Sequence, residues 1–185
     1  MQKIIAIMLL LCSVFFAGCT QNNVKTEAPK PATPVVQQPR QVEVVVYRAA
    51  GDGSERLLPE KLTVADNGKS LPETALIALC STKPGKSDYA DVVPNGTKVL
   101  GLKVENGLAT ADFSKELAKK GQGAYQEMML VYAIVNTLTE YPEIQKVQIL
   151  VEGKKRIVLS SQMDIEDPIK RNKTLLPENN ASKAK

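Results

Sequence analysis

The sequence predicts a small α/β domain of the α+β kind: a mixed sheet with two main helices packed on one face and two β-hairpins. Three observations carry that expectation. Val42-Glu43-Val44-Val45-Val46-Tyr47 is a β-branched run of the kind that forms a buried strand. Asn106-Gly107 sits between two apolar segments, Val99–Glu105 and Leu108–Phe113, and a type I′ turn needs the positive φ that Asn-Gly tolerates. Ala124 to Glu140 places Met128, Val131, Tyr132, Val135 and Leu138 at helical spacing before Pro142 stops it.

Ahead of this domain the chain begins with Lys3, an apolar run from Ile4 to Phe16, then Phe16-Ala17-Gly18-Cys19. A basic start, a short apolar run and small residues describe an export signal over residues 1–18, and the run is shorter than the roughly 20 residues that span a bilayer. Cys19, directly after the small pair, resembles the cysteine of a bacterial lipobox, with Phe16 where Leu is commoner. It is therefore expected to become the lipid-carrying first residue of the mature chain, which places the protein at the cell membrane on its extracytoplasmic face. A buried acyl chain contributes about 0.8 kcal/mol per methylene, so two or more chains anchor durably where one does not. Residues 19–41 hold Pro29, Pro31, Pro34 and Pro39 among polar side chains, a flexible tether that reaches roughly 70 Å when fully extended at about 3.1 Å per residue.

Within the expected folded region, 42–169, the first strand turns at Gly51-Asp52-Gly53 into an extended segment from Arg56 to Ala65, where Pro59 favours an edge or bend. Ser70-Leu71-Pro72-Glu73 is a capping box that starts a helix, and Lys83-Pro84-Gly85 ends it. The Asn-Gly hairpin follows, then a short helical stretch from Lys115 to Lys120 and the long helix. Val147, Ile149 and Val151 alternate with Gln148, Leu150 and Glu152 in a further strand, and Glu152-Gly153-Lys154-Lys155 is expected to turn it back into Ile157-Val158-Leu159 as the second hairpin. Residues 170–185 are polar and basic and are expected to form a disordered tail.

Composition excludes more chemistry than it suggests. The chain has no histidine, so Ser-His-Asp triads, Cys-His pairs and the commonest transition-metal ligands are missing. No cofactor or metal is expected. Removing Lys3 with the signal takes the formal charge from +4 to 4 − 1 = +3, too mild for a nucleic-acid binder. Cys12 leaves with the signal and Cys19 is modified, which leaves Cys80 alone on an apolar helix face as a core residue.

In the long helix, Leu130, Ile134 and the following Tyr141 fall outside the main apolar stripe. A helix apolar on more than one side needs covering twice, once by its sheet and once by something else, and a second chain is one candidate. Leu130, Ile134, Asn136 and Tyr141 thus form a candidate interaction surface. Asn136 is read first as a buried amide that satisfies backbone or loop groups, with a polar subunit contact as the alternative.

Several words of this sequence occur together in one known family. Pro94-Asn95-Gly96-Thr97-Lys98-Val99-Leu100, Val104 to Ser114, Ile134 to Pro142 and Val147 to Gly153, in the order strand, strand, helix, hairpin, helix, hairpin, resemble the sporulation and spore-germination domain called GerMN. The resemblance covers the whole folded region. It implies an envelope lipoprotein module similar to ring-building domains, with no catalytic residues to carry over. Where family members often show Gly-His before an Asp, this chain reads Ser160-Ser161-Gln162-Met163-Asp164, so that position is read as structural or dispensable.

The function expected from all this is a non-catalytic, membrane-tethered interaction or assembly module of the cell envelope in sporulation or germination. Its partners would be the membrane, through the lipid, envelope proteins and a second copy of the chain. A second reading is an adaptor for cell-wall hydrolases that binds peptidoglycan or another wall polymer through Tyr89, Tyr125, Lys98 and Lys103. A third is an enzyme that uses the acids Asp164, Glu166 and Asp167, although neighbouring acids in a turn marked by Pro168 are usually just solvated.

Overall fold

A computed structural model describes residues 40–121 and 123–177. The signal, Cys19 and the linker up to residue 39 lie outside the described residues. Strands β1 (Gln41–Ala50) and β2 (Leu57–Ala65) pair antiparallel from Gln41↔Ala65 to Ala49↔Leu57, and β3 (Tyr89–Ala90) joins the end of β1. Strands β4 (Val99–Glu105), β5 (Leu108–Phe113), β6 (Lys146–Val151) and β7 (Ile169–Lys170) form a second sheet in that order, with β5 and β6 parallel and the other pairs antiparallel. Helices α1 (Leu71–Ser81) and α2 (Ala124–Leu138) and a 3₁₀ turn at Lys115–Ala118 complete the fold.

The expected α+β class holds, with two sheets in place of one. The reason lies at the free edge of β1. Beyond the short β3, that edge meets α2: the Tyr47 amide donates to Thr137 Oγ1 at 2.9 Å, so the β1–β2 pair is closed off before it can join β5. Helix α1 touches β1 and β4, and α2 touches β1, β2 and β6. The helical layer therefore faces both sheets, and one continuous core runs through Val46, Leu76, Leu79, Phe113, Leu130, Ile134 and Ile149, all essentially without solvent exposure. Burying each such side chain contributes roughly 1.5–3 kcal/mol.

Local signals act largely as the residues require. Asn106 (φ 49) and Gly107 (φ 78) take the paired positive φ of a type I′ turn between β4 and β5. At the start of α1 only half of the capping box forms. Ser70 Oγ accepts from the Glu73 amide at 3.4 Å, while the Glu73 carboxylate pairs with Lys69 instead of reaching back.

Two expectations at the C-terminal end are corrected. Ile157–Leu159 forms no strand against β6. The turn itself is made, with Glu152 (φ 53) and Gly153 (φ 73) both left-handed and Val151 and Lys154 exchanging backbone hydrogen bonds across it, but the pairing stops at that bridge and the turn is fastened to the end of β5 as well. The Glu152 amide donates to Phe113 O, the Lys115 amide to Glu152 Oε1 and the Gly153 amide to Asp112 Oδ1. The β6 edge is then paired by β7. Nor is the segment after Lys170 a loose tail up to Pro177: Leu175 is buried, and its carbonyl accepts the Leu57 amide at 2.6 Å.

Candidate functional site

Three polar clusters inside the domain show what its functional groups are used for. The first joins β1 and β2 to the end of α1. Arg48 shares the inward face of β1 with Val44 and Val46 and is 1% exposed. Its Nε donates to Glu60 Oε2, and its Nη2 donates to Thr82 O at 3.1 Å and Thr82 Oγ1 at 2.7 Å. Glu60 Oε1 accepts the Gly85 amide at 2.8 Å, so both charges have charge-assisted partners, the condition under which a buried ion pair is tolerated.

The second cluster centres on Glu127, buried in the first turn of α2. Its Oε1 accepts the amides of Ser160, Ser161 and Met163 at 2.7, 3.1 and 3.3 Å, and its Oε2 accepts the Gln162 amide at 3.2 Å and Ser161 Oγ at 3.1 Å. Burial alone would push this carboxyl up. The converging amides of Ser160, Ser161 and Met163 outweigh it and hold the group down to about 2, against an ordinary 4.5. The stretch where the resemblance leads one to look for Gly-His is thus gripped by its backbone. Gln162 is exposed and only its amide is used, which gives a physical reason why its side chain is free to differ, whereas Ser161 adds its hydroxyl to the grip on Glu127.

The third cluster straps residues 171–175 across α2. Asn136 Nδ2 donates to Asn172 O and the Asn172 amide donates to Asn136 Oδ1, both at 3.0 Å. Arg171 Nη1 donates to Asn136 O at 2.7 Å, and Nη2 donates to Tyr47 OH at 2.6 Å and Glu140 Oε2 at 2.8 Å. The guanidinium also lies 4.9 Å from the centre of the Tyr47 ring. Burial, then the hydrogen bond to Glu140, push the Tyr47 hydroxyl up, so it keeps its proton and donates to Glu140 Oε2 at 2.8 Å.

This arrangement corrects the expected interaction surface. Leu130, Ile134 and Asn136 have no solvent exposure. The second cover of α2 is the other sheet and the 171–175 strap of the same chain. Tyr141 is half-buried and donates to Leu71 O at 3.1 Å, which ties the end of α2 to the start of α1. Leu130→Asp or Ile134→Asp should therefore abolish folding, because an unpaired charge in this core costs several kcal/mol. Circular dichroism of each variant checks this; a folded variant would put the residue back at the surface.

The residues considered for wall-polymer binding do not converge. Tyr89 OH donates to Pro59 O and Tyr125 OH to Ser54 O, while Lys103 pairs with Glu105 at 2.9 Å on the β4 edge. Lys98 instead borders a polar groove with Lys83. The acids Asp164, Glu166 and Asp167 are exposed, and Asp164 Oδ1 accepts the Glu166 amide at 2.9 Å in a local turn. Burial pushes the Cys80 thiol up to about 12, far from the thiolate that nucleophilic chemistry needs. Among the described residues no group of His, Cys, Asp or Glu is placed to hold a metal ion, and no helix is long and apolar enough to cross a membrane.

Sequence reasoning missed Arg48, Glu127 and Arg171. A signal existed for two of them: Arg48 has the inward parity of Val44 and Val46, and Glu127 lies three, four and seven residues before Leu130, Val131 and Ile134, on the buried stripe itself. Nothing in its polar neighbourhood marked Arg171.

Comparison with known proteins agrees with the fold. The model of the Germane family, sporulation and spore germination, matches residues 14–157. A crystal structure of a Clostridium perfringens protein, provisionally described as a lipoprotein, is 25% identical over 70% of this chain and 87% of that one, with a TM-score of 0.52. The first GerMN domain of the sporulation protein GerM from Bacillus subtilis is 24% identical over 70% of this chain and 98% of that domain, with a TM-score of 0.60. The tandem GerMN domains of the same protein give 22% identity over 71% of this chain, a TM-score of 0.61 and 46% coverage of the pair. The chain thus spans about half of the tandem and nearly all of one domain. No curated protein matches it.

Proposed function

Because the chain belongs to the Germane family of sporulation and spore-germination domains, we propose that it is a lipid-anchored, extracytoplasmic module that assembles with envelope proteins and performs no chemistry of its own. The observation that carries this reading is how the buried polar groups are spent. Arg48, Glu60, Glu127 and Asn136 are each turned inward onto backbone groups of distant segments. Groups held this way tie distant segments into one body and face its interior, away from any substrate in solvent. The sequence supports the tether: Ala17-Gly18-Cys19 is followed by a polar, proline-rich stretch. The likeness to a Clostridium protein described provisionally as a lipoprotein supports it as well.

Cys19→Ala is the direct test. The unmodified chain should take up labelled palmitate and sediment with membranes, and the variant should do neither. A variant that still carries lipid would overturn the anchor. For the assembly role, crosslinking of the anchored chain in sporulating cells should capture envelope proteins, and a chain that stays monomeric and uncrosslinked throughout sporulation and germination would overturn it.

A further inference from the structure

We propose that the groove flanked by Lys83, Lys98, Lys119 and Lys120 is a binding site for a linear polyanion of the phosphodiester type. Two hollows of about 420 and 330 Å³ adjoin here and share Lys83, Asp91, Val93, Pro94 and Asn95 as their common rim. Lys119 and Lys120 line the first and Lys98 the second, so positive charge occurs at both ends and at the middle. Asp91 is the one acid among the lining residues, and Glu116, held by Ser114, stands near Lys98. The groove thus concentrates cations on a chain whose overall charge is mild.

The wall of the groove that carries Lys83 and Lys98 is also built, in the sense that its backbone is fixed before any ligand arrives. Val92, Val93, Pro94 and Thr97 are buried, and Thr97 returns both its amide and its hydroxyl to Pro94 O. Lys98 is pinned by its amide to Ser114 Oγ at 3.0 Å and by its carbonyl to the Ser114 amide at 2.9 Å. Lys83 Nζ donates to Asp91 Oδ2 at 2.7 Å and Asn95 Oδ1 at 2.6 Å, which leaves the third N–H of its ammonium for a ligand. The exposed run Lys154-Lys155-Arg156 is comparably basic but lies on a turn and lines none of these hollows.

The form of the groove selects the ligand. A row of point charges along a channel matches singly charged oxygens spaced along a flexible chain. A planar lipid surface would be met by a convex patch, and paired carboxylates by the forked geometry of arginine, of which the lining has none. The inference does not depend on the assembly role above: either can fail alone, since the lipid and crosslinking tests do not involve these lysines.

The test titrates the full chain, in neutral phosphatidylcholine nanodiscs where it carries lipid and in solution where it does not, with poly(glycerol phosphate) and in parallel with phosphatidylglycerol vesicles. The polymer should bind, with affinity that falls as salt rises, and Lys98→Glu plus Lys120→Glu should weaken it about tenfold or more. Lys61→Glu plus Lys103→Glu, which changes the net charge equally at two exposed ion pairs outside the groove, should leave it nearly unchanged. Equal losses in the two double variants would overturn the site and leave only net charge. Groove-dependent binding of the vesicles without binding of the polymer would overturn the phosphodiester chain as ligand, and no binding of either would overturn the proposal.

Discussion

Asn136→Ala lowers the stability of the folded domain by roughly 2–4 kcal/mol, since it removes two buried hydrogen bonds and strands both of their partners. The residue lies inside α2 with no exposure, and its amide is matched on both sides by the backbone of Asn172. In the variant the Asn172 amide and carbonyl lose those partners and the strap loosens. Arg171 then loses the register that lets it reach Asn136 O, Tyr47 OH and Glu140 together. The effect should therefore exceed that of two independent hydrogen bonds and should couple to Arg171→Ala in a double-mutant cycle. Urea unfolding followed by circular dichroism measures it, and exposed Lys173→Ala serves as the control expected to change little. A variant with native stability that failed to engage envelope proteins would assign Asn136 to a subunit contact instead.

The same residue marks where the sequence was readable and where it was not. Asn106-Gly107, the Ser70 cap and the β-branched run of β1 declare themselves because each is decided by forces within a few residues: the φ each residue tolerates, one side-chain oxygen near one free amide, and β-branched side chains that favour an extended backbone. The buried-amide reading of Asn136 was available for a similar reason, since a polar side chain in an apolar helix must find partners. Where those partners lie was not. Asn172 is 36 residues away, in a stretch whose composition gives too little apolar surface to suggest packing, and only the Leu175-Leu176 pair packs its far end onto the core. The excess apolar surface of α2 was visible, but periodicity measures how wide a buried face is and carries no information about what covers it. The missing hairpin is a competition of the same sort. Glu152-Gly153 makes the turn that its residues favour, and the long-range bonds from Asp112, Phe113 and Lys115 then decide where the turn is fastened.

Acid should loosen the loop that Glu127 holds. The carboxyl is held down to about 2 in the fold against an ordinary 4.5, so the unfolded chain takes up its proton at a higher pH than the folded one. The stabilisation is thus fully present above about 4.5 and is lost as pH falls toward 2. Glu127→Gln removes the charge while keeping the shape, yet its amide nitrogen would face the same amides that now donate to the carboxylate. The cost at neutral pH is roughly 2–4 kcal/mol, as expected for charge-assisted hydrogen bonds lost around a buried group. The variant should also lose this part of the acid dependence: its stability should fall less steeply across the same window, with Asp52 and Glu116, whose carboxyls are also held down by hydrogen bonds with Ser54 and Ser114, still contributing. Two readouts separate this from a general weakening of the core. Relative to the intrinsic exchange rate at each pH, protection of the amides of Ser160 to Met163 should fall on acidification before protection in β1 and β5 does, because those amides are held by Glu127 and the strands are not. Glu60→Gln should disturb the β1–β2 side and leave the loop after Val158 protected, since the Glu60 contacts are with Arg48 and Gly85. If the 160–163 amides stay protected down to the pH of global unfolding, the loop is held by its packing at Leu159 and Ile165, both buried, and Glu127 is only a satisfied charge beneath it.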